Sequence, residues 1–232
     1  MITKWPSINL LAGLALIPCL AFSADLGGDW VNMEPDDFWK IGALSEKIEV
    51  KAFNPDLLEA AIFHETNRVR AEHDRRFLEP SAKASDAARS HSRWMVEAQM
   101  LSHSGAMDDG KRSNPFTRLQ AVGLSPTTAA ENVAFTFRLD YESGRTVYIR
   151  ERGGRRIFSY KPGGTPLESR TYIEFARAVV QQLMDSPTHR DNILLPEITH
   201  AGIGVVLNEA DDSMDRIFVT QNFFSLGGRG AR

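Results

Sequence analysis

Residues 183–194 read LMDSPTHRDNIL and carry the strongest local signals in the chain for a helix start and for a chemical site. Thr188 followed by Asp191 has the spacing of a capping box, which predicts a short helix from there to the end of the stretch. His189 would then lie in the first helical turn, where the positive end of the helix dipole disfavours imidazolium. The neighbouring Arg190 acts in the same direction. We therefore predict a neutral imidazole at position 189, the form that binds a metal ion or accepts a proton.

Helical patterns also occur upstream of this stretch, at three further start signals. Asn54 and Ser81 each precede apolar residues at helical spacing, and Thr171 with Glu174 forms another capping box. Long helices are therefore predicted after each of these positions. A shorter helix is predicted over residues 115–122, and the residues expected to face the core there are Phe116 and Leu119.

Strand patterns lie between and after these helices. Residues 131–137, 201–207 and 217–224 have strand character, and a β-hairpin is predicted over residues 144–161 around Gly153-Gly154. Helices that cluster before and between a few strands, without regular strand–helix alternation, predict an α+β fold in layers.

The composition narrows the classes of protein to which the chain can belong. Its 232 residues fit one globular domain with appended segments, and a charged fraction of 25% argues against wholesale disorder. The net charge of −3 lacks the basic excess of a general nucleic-acid binder, so no nucleic-acid partner is expected. Cys19 is the only cysteine, which excludes a disulfide scaffold and a thiolate metal cage.

The N-terminal residues are predicted to direct export. Lys4 precedes an apolar run over residues 8–20, and small residues then lead to a cleavage position near Ala24, which is the layout of a signal peptide at residues 1–24. A membrane anchor and a lipoprotein modified at Cys19 are the alternatives. We expect a secreted or periplasmic protein whose mature chain has no transmembrane segment.

The rest of the chain divides by composition into three segments. Residues 25–53 form an acidic N-terminal strap, and its Phe38 and Trp39 are expected to pack on the main domain, with a partner-binding arm as the alternative. The domain itself is predicted over residues 54–226. Residues 227–232 are expected to be a flexible tail.

Several short motifs follow one another along residues 54–225. They are Thr66-Asn67-x-x-Arg70, His91-Ser92 with Met95, Leu101-Ser102-His103, Glu131-Asn132-Val133-Ala134, Ser186-Pro187-x-His189-Arg190-x-Asn192-Ile193-Leu194, and Gly202-Ile203-Gly204-Val205. In this order they resemble the SCP domain of the CAP superfamily (cysteine-rich secretory proteins, antigen 5 and pathogenesis-related 1), above all its cysteine-free bacterial branch. The resemblance implies a three-layer α-β-α sandwich with a surface cleft, to which the hairpin at 144–161 would be an insertion.

The resemblance also implies a set of site residues. In that family two histidines and acidic residues line the cleft and can hold a divalent cation; carried over by motif, they are His103, Glu131 and His189. Two imidazoles and a carboxylate suit Zn²⁺ or another divalent cation. Asp185 lies near the place of a second acid, but the motifs do not fix its direction. The residues expected to cap and tie the cleft loops are Asn132, Arg190 and Asn192.

Several functions are compatible with this cleft. The first is an exported module that binds a ligand or a component of the cell envelope. The alternatives are a metal-dependent hydrolase of peptidase type and a lipid- or sterol-binding protein. A His–Glu pair can also act as a general base without metal, and the same polar residues can form a purely structural hydrogen-bonded network.

The predicted hairpin carries an excess of positive charge. Residues 144–161 contain six basic residues, of which Arg155 and Arg156 follow the glycine turn, and one acid, Glu151. A solvated ribbon that protects a sheet edge is one interpretation. The other is a contact for an anionic partner, either an envelope component or lipid head groups.

Overall fold

The computed structural model describes residues 33–106, 112–209 and 214–227. The predicted signal peptide at 1–24, its cleavage position, the first part of the strap and the tail after Gly227 lie outside these residues. Within the described ranges, no helix is long and apolar enough to cross a membrane.

The chain forms six α-helices and eight strands in the described part. The helices are α1 (Pro35–Phe38), α2 (Pro55–Glu72), α3 (Ala82–Glu97), α4 (Pro115–Ala121), α5 (Tyr172–Asp185) and α6 (Pro187–Leu194). The strands are β1 (Glu79–Pro80), β2 (Gly105–Ala106), β3 (Arg112–Ser113), β4 (Pro126–Phe137), β5 (Tyr148–Arg152), β6 (Arg155–Ser159), β7 (His200–Asn208) and β8 (Arg216–Leu226). Short 3₁₀ turns at Gly42–Ser45 and Val50–Ala52 precede α2.

The central sheet has the strand order β1-β7-β8-β4. Strand β1 is parallel to β7, whereas β7, β8 and β4 run antiparallel to their neighbours. Strand β4 is therefore an outer strand of this sheet, and it begins at Pro126, five residues before the predicted start. Two smaller antiparallel pairs, β2–β3 and β5–β6, stand apart from the central sheet.

Helices cover both faces of the sheet, as the alternation of residues along β7 shows. Ile203 and Val205 are buried in the main apolar core together with residues of α2 and α5. Gly202 and Gly204, which alternate with them, face α3. A Cβ at Gly204 would lie 2.1 Å from the backbone nitrogen of Arg89. The α+β, three-layer α-β-α arrangement implied by the motifs is thus confirmed.

Strand β1 pairs with only the first residues of β7. Further along, the open edge of β7 is covered by side chains of α2 and α3. Ser85 accepts a hydrogen bond from the Ile203 backbone nitrogen at 3.1 Å, and Glu59 accepts one from the Val205 nitrogen at 3.1 Å. Glu59 is buried and is held by Arg89, with nitrogen–oxygen distances of 2.6–2.9 Å. Burial raises the pKa of Glu59 to about 7, although the hydrogen bonds from Arg89 oppose that rise. These contacts occupy backbone donors that would otherwise be exposed at a sheet edge.

The described part of the N-terminal strap packs into the core. Phe38, Leu44 and Ile48 are fully buried, and Trp39 packs against the same cluster. The Phe38 ring stacks on His64 with 3.9 Å between ring centroids. The strap is also less irregular than its composition indicates, because it contains α1 and two 3₁₀ turns.

Most helix starts lie where the capping residues predict them. Side chains of Asn54, Ser81 and Thr171 accept hydrogen bonds from backbone nitrogens of the first turns of α2, α3 and α5. The predicted cap at Thr188 is wrong, because α6 begins at Pro187 with Ser186 in the N-cap position and no side-chain cap bond. Proline favours the first helical position, since it has no backbone N–H to satisfy there.

Candidate functional site

A buried carboxylate lies at the centre of the candidate site. Glu131 is on the outer strand β4, and its side chain is 1% exposed. One carboxylate oxygen lies 3.0 Å from His103 Nδ1, and the other accepts a hydrogen bond from Arg118 Nη2. The Nε2 atom of the buried His91 is 3.9 Å from the first oxygen. Glu131 therefore contacts one of its two predicted partners, His103, directly.

Arg118 is the cation that pairs with Glu131. Its side chain is 7% exposed and comes from α4. The guanidinium also donates to the His103 backbone carbonyl, at 3.2 Å from both Nη atoms, and to Ser113 Oγ at 3.1 Å. Arg118 Nε has no hydrogen-bond partner among the described residues. One buried arginine thus fixes both the carboxylate and the loop that carries His103.

The exposed imidazole of the site is that of His103. It lies in the loop after α3, and its side chain is 54% exposed. A carboxylate paired with an arginine can only accept hydrogen bonds, so the Nδ1 atom of His103 is the donor in this contact. In the neutral ring, Nε2 is then the nitrogen that can accept a proton or bind a cation.

His189 approaches the same region from α6, on the other side of the sheet edge. Burial lowers the pKa of His189, and the positive charge of a nearby His103 lowers it further. The neutral form is therefore favoured, as the sequence predicts, but burial and His103 are the causes rather than Arg190. His189 still lies in the first turn of α6, although that helix begins at Pro187, two residues before the start that a cap at Thr188 predicts.

Asparagines connect α6 to the outer strand. Asn132 Nδ2 donates to the His189 backbone carbonyl at 3.1 Å and to Gln221 Oε1 at 3.1 Å. Asn192 Nδ2 donates to the Glu131 carbonyl and to Asn132 Oδ1, each at 3.0 Å. Because successive strand residues point to opposite faces, Glu131 contacts the α3–α4 layer while Asn132 contacts the α6 layer. The site thus forms where both helical layers meet at the edge strand.

Two other residues assigned to the cleft from the sequence lie apart from these contacts. Arg190 is exposed, and its described hydrogen bond runs from its backbone nitrogen to the Ser186 carbonyl. Asp185 accepts a hydrogen bond from Gln181, one turn earlier in α5, at 2.8 Å. The structure therefore does not place Asp185 as a further ligand beside His103.

Sequence reasoning did not identify Arg118, and it assigned its neighbour on α4 incorrectly. Phe116 was predicted to face the core, but it is 39% exposed, whereas Arg118 and Leu119 are buried. The chain did contain a signal for this arrangement. Asn114 and Thr117 form a capping box, and this start of the helix places Arg118 beside the inward-facing Leu119.

The described residues partly fit a divalent cation. His103 Nε2 and the neutral His189 are suitable metal ligands. Both oxygens of Glu131, however, already accept hydrogen bonds from His103 and Arg118. Over residues 33–106, 112–209 and 214–227, no group of three or more His, Cys, Asp or Glu could hold a metal ion. Glu131 fits better as the group that orients His103 than as a direct ligand.

Comparison with known proteins gives one family and several similar structures. The sequence model of the cysteine-rich secretory protein family (CAP) matches residues 63–223. Similar solved structures include an extracellular protein with an SCP domain from Bacillus anthracis (22% identity, TM-score 0.49) and an outer surface protein from Borrelia burgdorferi (15% identity, TM-score 0.46). A cysteine-rich secretory protein from Staphylococcus aureus has 12% identity and a TM-score of 0.45.

The extent of these matches differs. The match to the Bacillus protein covers 83% of this chain and 44% of that protein. The match to the Borrelia protein covers 78% of this chain and 99% of that protein. The match to the Staphylococcus protein covers 76% of this chain and 40% of that protein. The chain thus spans less than half the length of the Bacillus and Staphylococcus proteins. No curated protein matches the chain.

Proposed function

The chain belongs to the cysteine-rich secretory protein (CAP) family, and we propose that it is an exported binding module whose ligand site is the cleft formed by His103, Glu131 and His189. The observation that carries this proposal is the chain of contacts from Arg118 through Glu131 to the exposed ring of His103. An exposed imidazole held by a buried ion pair is preoriented toward solvent. Such preorganisation lowers the conformational entropy lost when a ligand binds.

We propose further that the cleft can take a divalent cation such as Zn²⁺, held by His103 and His189. Glu131 would accept the Nδ1 hydrogen bond of His103 and so keep Nε2 directed to the cation. Water or the ligand itself would complete the coordination. A bound cation would supply Lewis acidity to whatever oxygen or nitrogen completes the site.

Calorimetric titration of Zn²⁺ into the purified protein tests this site. The test variants are His103→Ala and His189→Ala, and His73→Ala is the matched control because His73 is exposed at the end of α2. We expect one site per chain that is lost in both test variants and kept in the control. Glu131→Gln should weaken binding about 10- to 100-fold, the usual effect of changing the group behind a ligand histidine. No binding, or binding unchanged in both test variants, would instead favour a structural network.

A metal-dependent hydrolase of peptidase type is the second candidate. The 3.0 Å contact between His103 Nδ1 and Glu131 favours it, because a carboxylate that orients an imidazole is the usual arrangement of a general base. Digestion of fluorescent casein, with and without Zn²⁺, separates the two candidates. A hydrolase loses turnover in Glu131→Gln, whereas a binding module shows no turnover in either form.

Lipid or sterol binding is less favoured by the described residues. It requires an apolar groove, whereas seven of the eleven residues that line the cavity of about 650 Å³ between the strap, the hairpin and the end of β7 are charged. The charged side chains of that lining are Glu49, Lys51, Arg138, Glu151, Arg156, Glu209 and Asp215.

Export itself rests on the sequence of residues 1–24. Mass spectrometry of the protein recovered from medium or periplasm should show Asp25 as the first residue. A chain that retains residues 1–24 would contradict the proposed cleavage.

A further inference from the structure

The basic hairpin has two faces with different surroundings. Strands β5 and β6 pair so that Glu151 lies opposite Arg156 and Ile149 lies opposite Phe158. Glu151, Arg156 and Phe158 line the cavity of about 650 Å³, so this face is directed toward the body of the protein. We call it the inner face.

The opposite, outer face carries exposed basic residues along β5, whereas Ser159 of β6, at one end of this face, is 1% exposed. Tyr148, Arg150 and Arg152 alternate along β5 on this face, and all three are exposed. Their register partners are Ser159, Ile157 and Arg155. No acidic residue occupies any of these six positions, because Glu151 is on the inner face.

This geometry refines the sequence-based hypothesis about Arg155 and Arg156. Arg156 lines the cavity together with its register partner Glu151. Arg156 belongs to the inner face. The positive residues that one partner could contact together are therefore Arg150 and Arg152, at alternate positions of β5.

We propose that the outer face of the hairpin docks on an anionic phospholipid bilayer. Guanidinium groups bind phosphate in a bidentate manner, and positive side chains are attracted to anionic lipid surfaces. On the same face, two residues before Arg150, Tyr148 is 44% exposed. Tyrosine is enriched at the head-group level of membranes, where its ring and hydroxyl meet apolar and polar surroundings at once.

The exposed Tyr148 ring favours a bilayer over a soluble polyanion. A charged polymer in water offers no apolar region for this ring, whereas the head-group boundary of a bilayer does. The hairpin also stands apart from the central sheet, so its outer face can lie flat on a surface. This inference concerns a surface separate from the cleft residues and does not depend on the function proposed for them.

Co-sedimentation with vesicles tests the proposal. The vesicles contain either equal parts of phosphatidylglycerol and phosphatidylcholine or phosphatidylcholine alone. The test variant is Arg150→Ser/Arg152→Ser, and the charge-matched control is Arg75→Ser/Arg76→Ser, because both of those arginines are exposed between α2 and β1. All forms carry the same N-terminus, so differences between them report only on the substituted residues.

We expect the unmodified protein to bind the anionic vesicles and not those of phosphatidylcholine alone. The hairpin variant should bind about 30-fold more weakly and the control within about 3-fold of the unmodified protein, since each arginine near an anionic surface contributes about one factor of five. A Tyr148→Ser variant should also bind more weakly. The proposal is overturned if the protein does not bind anionic vesicles, if both double variants lose the same amount, or if the unmodified protein and Tyr148→Ser bind the anionic vesicles equally well.

Discussion

Replacing Arg118 by methionine should leave the Glu131 carboxylate buried without its cation. Both side chains are almost fully buried, at 7% and 1% exposed, so water cannot take the place of the guanidinium. Removing one partner of a buried ion pair destabilises a protein by about 3–5 kcal/mol. We expect about 3 kcal/mol here, at the low end, because His103 still contacts Glu131 at 3.0 Å.

Urea denaturation, followed by circular dichroism, measures this loss. In a thermal melt it corresponds to a fall in Tm of about 6–12 °C for a chain of this size. The control is Lys40→Met, because Lys40 and Asp37 form an ion pair with side chains 73% and 65% exposed, and such pairs contribute about 0–1 kcal/mol.

The double variant Arg118→Met/Glu131→Gln separates an unpaired charge from a packing defect. Glutamine removes the charge, so the double variant should be more stable than Arg118→Met alone by at least about 1 kcal/mol. If Arg118→Met is no less stable than Lys40→Met, or if the second change gives no recovery, Glu131 does not depend on Arg118 as described.

Two further predictions concern the packing of β7. Burial raises the pKa of Glu59 from 4.5 to about 7. Between these pH values the folded state therefore holds more protons than the unfolded state, so the free energy of unfolding should fall as the pH rises from 4.5 to about 7. The fall should be at most about 3 kcal/mol. Denaturation at several pH values should show this dependence in the unmodified protein and not in Glu59→Gln; equal slopes would contradict it. Gly204→Ala should destabilise by about 1–3 kcal/mol or more, because its Cβ would lie 2.1 Å from a backbone nitrogen of α3. Gly42→Ala, with no atom within 4 Å, is the control, and equal melting of the two variants would show that α3 can move away.

Local signals in the sequence predict the helix starts well, because a cap depends on residues three positions apart. Asn54, Ser81 and Thr171 all cap helices in the structure. Thr188 has the same spacing but lies after Pro187. Because proline favours the first helical position, α6 begins at Pro187, before Thr188. The competing signals overlap here, and the spacing alone does not decide between them.

The contacts of the candidate site depend on residues far apart in the chain, which local patterns cannot reveal. The family resemblance implies His103, Glu131 and His189 as site residues, but the pairing of Arg118 with Glu131 joins a short helix to an edge strand. A charged residue near the start of a short helix is normally read as exposed. Only the packing of α4 against β4 shows that Arg118 is buried and directed at Glu131.

The faces of the hairpin illustrate a different limit. The sequence predicts the turn at Gly153-Gly154, and both glycines have positive φ, at 60° and 70°. The hairpin predicted over residues 144–161 has its strands at Tyr148–Arg152 and Arg155–Ser159. Alternation along a strand tells which residues share a face, but the packing of the body decides which face is exposed.

The central claim is that Glu131 holds the His103 ring with Nδ1 as the donor and Nε2 directed outward. Nitrogen-15 NMR of the histidine rings, at about pH 8, where an ordinary histidine is neutral, reads the tautomer of each ring directly. His91 supplies an internal contrast, because its Nε2 lies 2.7 Å from the Ser102 carbonyl and must carry the proton there. We expect a proton on Nδ1 of His103 and on Nε2 of His91. A proton on Nε2 of His103 would contradict it, because the ring would then not donate to Glu131.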